Sequence, residues 1–243
     1  MTLTPFPLFN PQPRIERVEL VPGQACFVID DALREPQRLV EFAALHAGDF
    51  QRVDFNAYPG VLLPSPAAVS AALNDYFVEH VRRHFDARRI VRMHSRLALV
   101  TLPPHELRPL QTICHVDRLD AGATQSIQAC VLYLFDDPAL GGTSFYVPAR
   151  RASEMDRLFA DANVMSPEQF TQSHGIAQAY LTGSNDYFCR VGGLEAKWNR
   201  LVFYDGAMLH SGDIHAPDRL SADPRHGRLT LNGFFTCRRH AAR

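Results

Sequence analysis

A chain of 243 residues, 46% hydrophobic and 21% charged, carries enough apolar side chains to bury a core, which excludes an intrinsically disordered protein. The formal net charge of -1 supplies no strong field for nucleic acid or an anionic membrane, so neither is expected as a partner. Because sandwich and barrel domains commonly reach this length, we expect a single domain over residues 1–243.

The cysteines and the N-terminus indicate a compartment. The cysteines are odd in number and no two are spaced as C-x-x-C, which favours reduced thiols: Cys26, Cys114, Cys130, Cys189 and Cys237. The sequence begins without a basic, apolar leader and holds no run of about 20 apolar residues. We therefore expect a cytoplasmic protein.

The first part of the chain, residues 1–89, is predicted to hold a hairpin and two helices. Short apolar runs on both sides of the proline–glycine pair at 22–23 predict the hairpin. Apolar residues recur at helical spacing in two segments, which predicts amphipathic helices at 36–47 and 67–85. The segment 56–66 is rich in turn residues and is expected to be a loop.

From Ile90 onward the apolar residues recur at the two-residue period of a β-strand. This pattern predicts strands at 90–102, 111–117, 126–135, 143–147, 186–191, 200–204 and 227–236. Residues 149–183 interrupt the series with helical spacing and are predicted to be an insertion, placed like a lid. Strands that follow two helices predict a mainly β fold with a helical flank (α+β), an antiparallel sandwich or jelly roll with its core at 90–236.

His115 and Asp117 are the first candidate metal ligands. They are two positions apart on a predicted strand, so both side chains project from the same face. A further ligand from another strand would leave the remaining positions of an octahedral ion open, an arrangement suited to ferrous iron and oxygen chemistry. The H-x-D pattern alone is common by chance, and it becomes informative only through the residues that follow it.

Two later segments supply partners for that half-site. The predicted strand at 200–204 leads to His210, a candidate for the third ligand. Arg228, Thr230 and Asn232 alternate along the last predicted strand and share a face, which places a guanidinium and a hydroxyl together. Such a pair is suited to binding the far end of a small dicarboxylate.

Taken in order, the motifs of residues 95–236 resemble those of the 2-oxoglutarate and iron(II)-dependent oxygenases, especially the prolyl-hydroxylase-like branch. The motifs are the H-x-D strand, a Tyr-Leu strand followed by G-G-T-S-F at 141–145, a distal histidine and R-x-T. The sequence, including residues 56–60, is also similar to a bacterial family of uncharacterised oxygenase-like proteins. The resemblance implies a double-stranded β-helix core (a jelly roll, cupin-like).

The resemblance also implies roles for individual residues. His115, Asp117 and His210 would bind Fe(II), and Arg228 would pair with the distal carboxylate of the cosubstrate 2-oxoglutarate. Molecular oxygen would be the other cosubstrate. Asp117 is a carboxylate that halogenating relatives lack, so hydroxylation or another C–H oxidation is expected rather than halogenation.

Further residues are assigned to the cosubstrate and to the substrate. Tyr133 matches a position from which some prolyl-hydroxylase-like enzymes hydrogen-bond the same carboxylate, and Thr230 would assist. Four residues are weaker candidates for the substrate cavity: Tyr58, Arg96, Arg118 and Trp198.

The stretch from His210 to Arg228 departs from the family pattern. It covers 18 positions, which is longer than the family's common spacing, and it predicts an inserted loop. His215 lies in this stretch and is the alternative distal ligand. We favour His210 because it directly follows the predicted strand and turn.

The sequence leaves several functions open. The leading hypothesis is a hydroxylase that acts on an amino acid, a peptide or a small natural product. One alternative is a non-catalytic member of the fold that binds metal and 2-oxoglutarate, and another is a cupin-like metalloenzyme that does not use 2-oxoglutarate. The substrate and the oligomeric state stay open at this point.

Overall fold

The computed structural model describes residues 8–53, 57–117 and 122–240. In these ranges the chain forms ten β-strands: Glu16–Val21 (β1), Gln24–Ile29 (β2), Gly60–Pro64 (β3), Arg89–Val100 (β4), Gln125–Tyr133 (β5), Thr143–Pro148 (β6), Phe188–Leu194 (β7), Leu201–Asp205 (β8), Leu209–Gly212 (β9) and Arg228–Arg238 (β10). Four α-helices accompany them in the same ranges: Gln37–Leu45 (α1), Ala67–Tyr76 (α2), Ala152–Val164 (α3) and Pro167–His174 (α4). No helix in the described part of the chain is long and apolar enough to cross a membrane.

The strands form two antiparallel sheets. The larger sheet has the order β1-β2-β8-β5-β10-β4-β3, and the smaller has the order β7-β6-β9. His115 makes an isolated bridge to His210 and so adds a fourth position to the smaller sheet, beside β9. From β4 to β10 the chain passes back and forth between the sheets, which is the topology of a double-stranded β-helix. The predicted fold class is confirmed.

The outer face of the larger sheet carries the main hydrophobic core. Leu229, Leu231 and Phe235 of β10 are fully buried there, because alternate side chains of a strand point to opposite faces. The helix α2 packs against this face, and the ring of Phe77, just beyond its end, stacks on Phe235 with ring centroids 4.1 Å apart. This packing leaves the inner face of β10 to polar side chains.

A second apolar cluster lies between the two sheets. It joins Val202 and Tyr204 of β8 to Phe145 of β6 and Leu194 of β7. The rings of Phe145 and Tyr204 meet edge to face, with centroids 5.4 Å apart. Because aromatic pairs of this kind prefer a defined geometry, the cluster fixes the spacing of the sheets next to the candidate site.

The insertion predicted at 149–183 contains α3 and α4, and its helical character is confirmed. Its helices pack on the outer face of the smaller sheet, where Leu158 and Phe170 share a cluster with Phe188 of β7. These contacts hold the helices against the sheet rather than in the space between the sheets. A lid function for the insertion stays a prediction.

The predicted N-terminal hairpin is confirmed as β1 and β2, which join the larger sheet together with β3. The predicted helix at 67–85 is regular only through α2. It continues as a π-helical turn at Phe77–Val81 and a 3-10 turn at Arg82–His84. The single domain over 1–243, with its boundary near residue 90, stays a prediction.

Two local predictions are wrong. The predicted loop at 56–66 contains β3, which pairs with β4, and its apolar run at 61–63 is too short to show a strand period. The predicted strand at 111–117 does not form a regular strand. A 3-10 turn at Pro109–Gln111 overlaps its first residue, and the segment pairs with β9 through an isolated bridge at His115. Proline at the start of a segment favours such turns over strand pairing.

Candidate metal centre

The smaller sheet brings His115, Asp117 and His210 to one point. The backbone N–H of His115 donates to the carbonyl of His210 at 3.0 Å, and the reverse bond is 2.9 Å. The N–H of Asp117 donates to the carbonyl of Gly206 at 2.8 Å. These bonds anchor the irregular segment that carries the H-x-D pattern, so the metal-binding atoms of the three side chains all lie within 4.8 Å of one another.

The donor atoms converge on one small volume. Nε2 of His210 lies 3.3 Å from Oδ2 of Asp117, and Nε2 of His115 lies 3.8 Å from Oδ1 of the same carboxylate. The side chain of His210 is 6% exposed and that of Asp117 is 12% exposed, whereas His115 at 52% stands at the mouth of the site. Two imidazoles and one carboxylate on one side of an ion leave its other positions open, which fits ferrous iron.

The tautomer of His210 follows from its contacts. Nδ1 lies 2.8 Å from the carbonyl oxygen of Met208. A carbonyl only accepts, so Nδ1 carries a proton and donates it, and Nε2 is the nitrogen that faces Asp117 and would bind a metal once it has lost its own proton. Histidines that bind metals are oriented in this way by a backbone carbonyl on the far nitrogen.

The three side chains of the cluster shift one another's pKa values in different directions. Burial would lower the pKa of His210, but the Asp117 carboxylate outweighs it and raises that pKa overall. Burial would raise the pKa of Asp117, but His210 outweighs it and lowers that pKa overall. Desolvation by the surrounding protein, and then repulsion from a protonated His210, lower the pKa of His115, although about half of its side chain is exposed. At neutral pH the site therefore offers a carboxylate and a neutral imidazole from His115, which are the ligand forms.

Tyr204 is a neighbour of the cluster that the sequence analysis did not identify. Its hydroxyl lies 3.1 Å from Nε2 of His210 and 3.5 Å from Oδ2 of Asp117. Burial raises its pKa well above the ordinary value, so the phenol stays neutral and can donate its one hydrogen to the Asp117 carboxylate. The one available signal was alternation on the predicted strand at 200–204, which places Tyr204 and Val202 on one face.

Gly206 allows the close approach of Asp117. A Cβ atom at Gly206 would lie 3.1 Å from the Asp117 Cβ and 3.1 Å from the Ile127 carbonyl oxygen. Both distances are tighter than ordinary van der Waals contact, so a side chain there would need Asp117 or the Ile127 backbone to shift by a few tenths of an ångström. The turn between β8 and β9 thus sets the position of the carboxylate.

A cavity of about 100 Å³ opens from the candidate metal ligands into the space between the sheets. A volume of this size has room for several water molecules or a small organic acid. Its deep end is lined by Arg228 and Thr230, which are 5% and 1% exposed. Its open end is lined by the half-buried side chains of Arg96, Asn232 and Phe234.

Arg228 is held in the deep end by backbone carbonyls. Its Nε donates to Leu140 at 2.9 Å and its Nη2 to Gly142 at 2.7 Å. Gly141 between them has φ +75°, and a Cβ there would lie 1.7 Å from the carbonyl oxygen of Asp213, so the loop requires glycine. In the described ranges no carboxylate lies within ion-pair distance of Arg228, so its charge is available to an anion.

The structure separates the predicted cosubstrate residues. Tyr133 is fully buried and its hydroxyl bonds to Thr143 Oγ1 at 2.7 Å, and Thr143 lines the cavity, whereas Tyr133 does not. Tyr58 lines the deep end, and burial raises its pKa to about 12. The charges of Arg228 and Arg96 and a hydrogen bond with Thr230 oppose that rise. Tyr58 therefore occupies the place beside Arg228 that the resemblance gave to Tyr133.

The other predicted site residues have different outcomes. Arg96 lines the cavity, whereas Trp198 packs against the core on the outer face of the larger sheet, so its assignment to the cavity is wrong. Arg118 falls outside the described residues. His215, the alternative ligand, is 61% exposed and lies 3.1 Å from the Asp213 carboxylate. His210, and not His215, stands beside Asp117.

A neighbouring cavity of about 80 Å³ shares Tyr58, His115 and Arg228 with the first. Its other walls are mostly apolar and include Ile113 and Tyr180. Tyr180 belongs to the insertion and is fixed by a bond from its hydroxyl to the carbonyl of Leu102 at 2.7 Å. The insertion therefore contributes a wall near the site through its last residues rather than through α3 or α4.

Three solved structures are similar to this chain at low sequence identity. A prolyl-4-hydroxylase of Pseudomonas putida is 13% identical with a TM-score of 0.49, over 90% of this chain and 95% of that chain. HygX of Streptomyces hygroscopicus, crystallised with nickel and 2-oxoglutarate, is 11% identical with a TM-score of 0.45, over 89% and 84%. The non-heme alpha ketoglutarate dependent carbocyclase SnoK of nogalamycin biosynthesis is 13% identical with a TM-score of 0.48, over 89% and 81%.

Sequence comparison gives a family without an assigned activity. No curated protein matches the chain by sequence. A family model matches residues 11–235, which include the three clustered ligands, Arg228 and all but the end of β10. The chain therefore belongs to DUF6445, a family of unknown function.

Proposed function

We propose that the protein is an Fe(II)- and 2-oxoglutarate-dependent oxygenase that hydroxylates a C–H bond of an amino acid, a peptide or a small natural product. The observation that carries this proposal is the meeting, in one cavity, of the His115, Asp117 and His210 cluster with the buried cation of Arg228. A ferrous site that keeps open positions and has a fixed cation nearby suits a 2-oxo acid with a second carboxylate.

The residues present fit the metal. Two histidine nitrogens and a carboxylate oxygen are ligands that ferrous iron accepts, and His210 already holds its proton on the far nitrogen. Tyr204 donates to Asp117, and its hydroxyl lies 3.1 Å from Nε2 of His210, so it helps to orient both side chains. When bound, iron with 2-oxoglutarate and oxygen supplies the oxidising chemistry, and the protein contributes position and a sheltered site.

Arg228 and its neighbours fit the distal carboxylate of 2-oxoglutarate. A guanidinium binds a carboxylate through two parallel N–H donors, and the carbonyls of Leu140 and Gly142 fix the plane of this one. The hydroxyls of Tyr58 and Thr230 stand beside it and can share the carboxylate. Because these groups are buried, water competes poorly for them and the pairing is strengthened.

The hydroxylase assignment is the finer part of the proposal. The Asp117 carboxylate is present and directed at both histidines, so the ligand set is complete without an external anion. The open positions on the metal then serve the cosubstrates. The substrate approaches from the open end of the cavity, since the deep end is closed by Arg228 and Thr230.

An anaerobic titration tests the proposal. Wild-type protein with Fe(II) and 2-oxoglutarate should develop a metal-to-ligand charge-transfer band, and Asp117→Ala and His210→Ala should not, because each loses a metal ligand. His215→Ala is the matched control and should keep the band, since its exposed side chain pairs with Asp213 instead. After oxygen is admitted, wild-type protein should convert 2-oxoglutarate to succinate.

Three results would contradict the proposal in different ways. No band in wild-type protein would remove the iron and 2-oxoglutarate site altogether. A normal band without any succinate would indicate a binding protein rather than an enzyme. A band that His215→Ala abolishes and His210→Ala keeps would reassign the distal ligand.

A further inference from the structure

Arg96 is a second cation in the cavity, and the proposed function gives it no role. It lies on β4 opposite Asn232 of β10, on the inner face of the larger sheet. Its Nε atom is buried and has no hydrogen-bond partner among the described residues. A buried donor on a charged group is costly to leave unmet, so the site is incomplete as it stands.

The guanidinium of Arg96 is held in place by an aromatic ring. It lies over Phe234 with its central carbon 4.8 Å from the ring centroid. His94 stacks on the same ring, with centroids 4.9 Å apart and planes 18° apart. A cation packed on an aromatic face loses little freedom when it binds a ligand, so Arg96 is prepared for an anion.

Asn232 offers a second unmet group beside Arg96. Its Oδ1 atom is buried and has no hydrogen-bond partner in the described part of the chain. A side-chain amide presents both a donor and an acceptor, so Asn232 can bind a carboxylate or an N–H group next to it. Together the two residues match a carboxylate that has a hydrogen-bond donor close by.

Arg96 is distinct from the cation assigned to 2-oxoglutarate. Arg228 lies at the deep end with its donors on loop carbonyls, whereas Arg96 lies at the half-buried, open end. Arg228 and Asn232 are four positions apart on β10, which is roughly 13 Å of strand. The open end is the side from which a substrate enters.

The charges in the cavity also favour a further anion. Among its described lining residues the charged ones are Arg96, Arg228 and Asp117. A divalent metal adds two positive charges, and the two carboxylates of 2-oxoglutarate remove two. One positive charge then remains uncompensated in a partly buried site, which a singly charged anion would neutralise.

The pKa of Arg96 agrees with this reading of the site. Burial lowers it, and attraction to Tyr58 and Asp117 opposes the change. A guanidinium stays protonated even so. Once a metal takes up the charge of Asp117, the opposing attraction weakens and an external anion becomes more favourable.

We propose that Arg96, with Asn232, binds the α-carboxylate of a small substrate of the amino-acid class. This inference rests on the proposed function and narrows its substrate class. An internal residue of a peptide has no free α-carboxylate to offer.

Binding of matched probes tests the inference without turnover. Protein loaded with Zn(II) and 2-oxoglutarate is titrated with the proteinogenic amino acids and with their carboxamides, by saturation-transfer NMR and calorimetry. We expect at least one amino acid to bind wild-type protein and its carboxamide to bind about tenfold more weakly, since the amide lacks the charge. The Arg96→Met variant should no longer bind the amino acid, and its affinity for 2-oxoglutarate should stay within about twofold of the wild-type value.

Arg92→Met is the matched control. Arg92 lies on the same strand and the same face, but it is exposed and lies beyond the cavity, so its removal should leave both ligands bound. The inference is overturned if no amino acid binds wild-type protein or if the carboxamides bind equally well. It is also overturned if Arg96→Met weakens the binding of 2-oxoglutarate as much as Arg228→Met does, because Arg96 would then be part of the cosubstrate site.

The experiment separates the two proposals. If wild-type protein binds neither the metal nor 2-oxoglutarate, the proposed function fails and the substrate inference fails with it. Normal binding of both, with no preference for a carboxylate probe, would defeat the substrate inference alone.

Discussion

The two faces of β10 divide stability from function within one strand. On the outer face Leu229, Leu231 and Phe235 are fully buried against the helices. On the inner face Arg228 and Thr230 are just as buried, but they are polar and line the cavity. Burial therefore does not distinguish the two faces, and the chemical type of the side chain does. The outer face stabilises the folded state, and the inner face carries polar groups that can bind ligands.

Leu231→Ala should show the largest effect and should affect the fold alone. Removing a fully buried leucine leaves a cavity and costs about 3 kcal/mol of unfolding free energy. Thr236→Ala, on the inner face of the same strand and half-buried, should change stability by about 0.5 kcal/mol or less. Denaturant unfolding measures both. A loss of metal affinity in folded Leu231→Ala would show that the two faces are coupled.

Arg228→Met should show the largest effect on ligands. The loss of a buried, charge-assisted pair should weaken 2-oxoglutarate binding by about 100-fold. Arg225→Met is the control, because Arg225 is an exposed residue paired with Glu41 at 2.7 Å. Calorimetry on metal-loaded protein measures the affinity. Equal affinities for the two variants would remove Arg228 from the cosubstrate site.

Tyr204→Phe should have a smaller effect, confined to the metal. Removing a hydroxyl that orients two ligands should weaken metal binding by about tenfold and leave the fold intact. Tyr187→Phe removes a hydroxyl that bonds His174 instead, and serves as the control. Competition with a metal-binding dye measures the change. An unaltered metal affinity would mean that Tyr204 only fills space.

Asp30→Asn should have the smallest effect and should depend on pH. Arg200 donates to Asp30 at 2.6 Å and Lys197 at 2.8 Å, and these bonds lower the pKa of Asp30 to about 2. Since the folded pKa is below the unfolded one, the stabilisation is complete above about pH 4 and is lost as the pH falls towards 2. At neutral pH the substitution should cost about 1 kcal/mol, because the pair is partly exposed. A difference between wild type and variant that stays constant down to about pH 3 would contradict this account.

The fold was largely predictable because most individual strands and helices show the periodicity of apolar residues that is typical of their type. The alternation along β5 and β10 and the helical spacing in α1 and α3 gave the correct element types. β3 was missed because its apolar run is short and lies between turn residues. β9 was missed because four residues are too few to show a period.

The candidate site was predictable where a motif marks it. The order of His115, Asp117, His210 and Arg228 in the sequence is enough to suggest that they meet, and the structure brings all four to one cavity. Tyr204 could not be identified in this way, because an aromatic residue on a buried strand is ordinarily part of a core.

The positions of Tyr58 and Tyr133 show the limit of motif reasoning. Tyr133 lies on the expected strand, yet its hydroxyl is bonded to Thr143. Tyr58 comes from an irregular segment before β3 and reaches Arg228 through tertiary packing. Which of two tyrosines faces a cavity depends on contacts between distant segments, and no local pattern records these.

The most direct test of the central claim is a calorimetric titration of 2-oxoglutarate into wild-type protein with and without Mn(II), a divalent ion that resists oxidation. The inner face of β10 and the three clustered ligands should act as one site, so we expect one molecule bound per chain with the metal. After the metal is removed with a chelator, the affinity should fall at least about tenfold, since only Arg228 and its neighbours remain to bind it. Equal affinity in the two titrations would contradict the claim that metal and cosubstrate share this cavity.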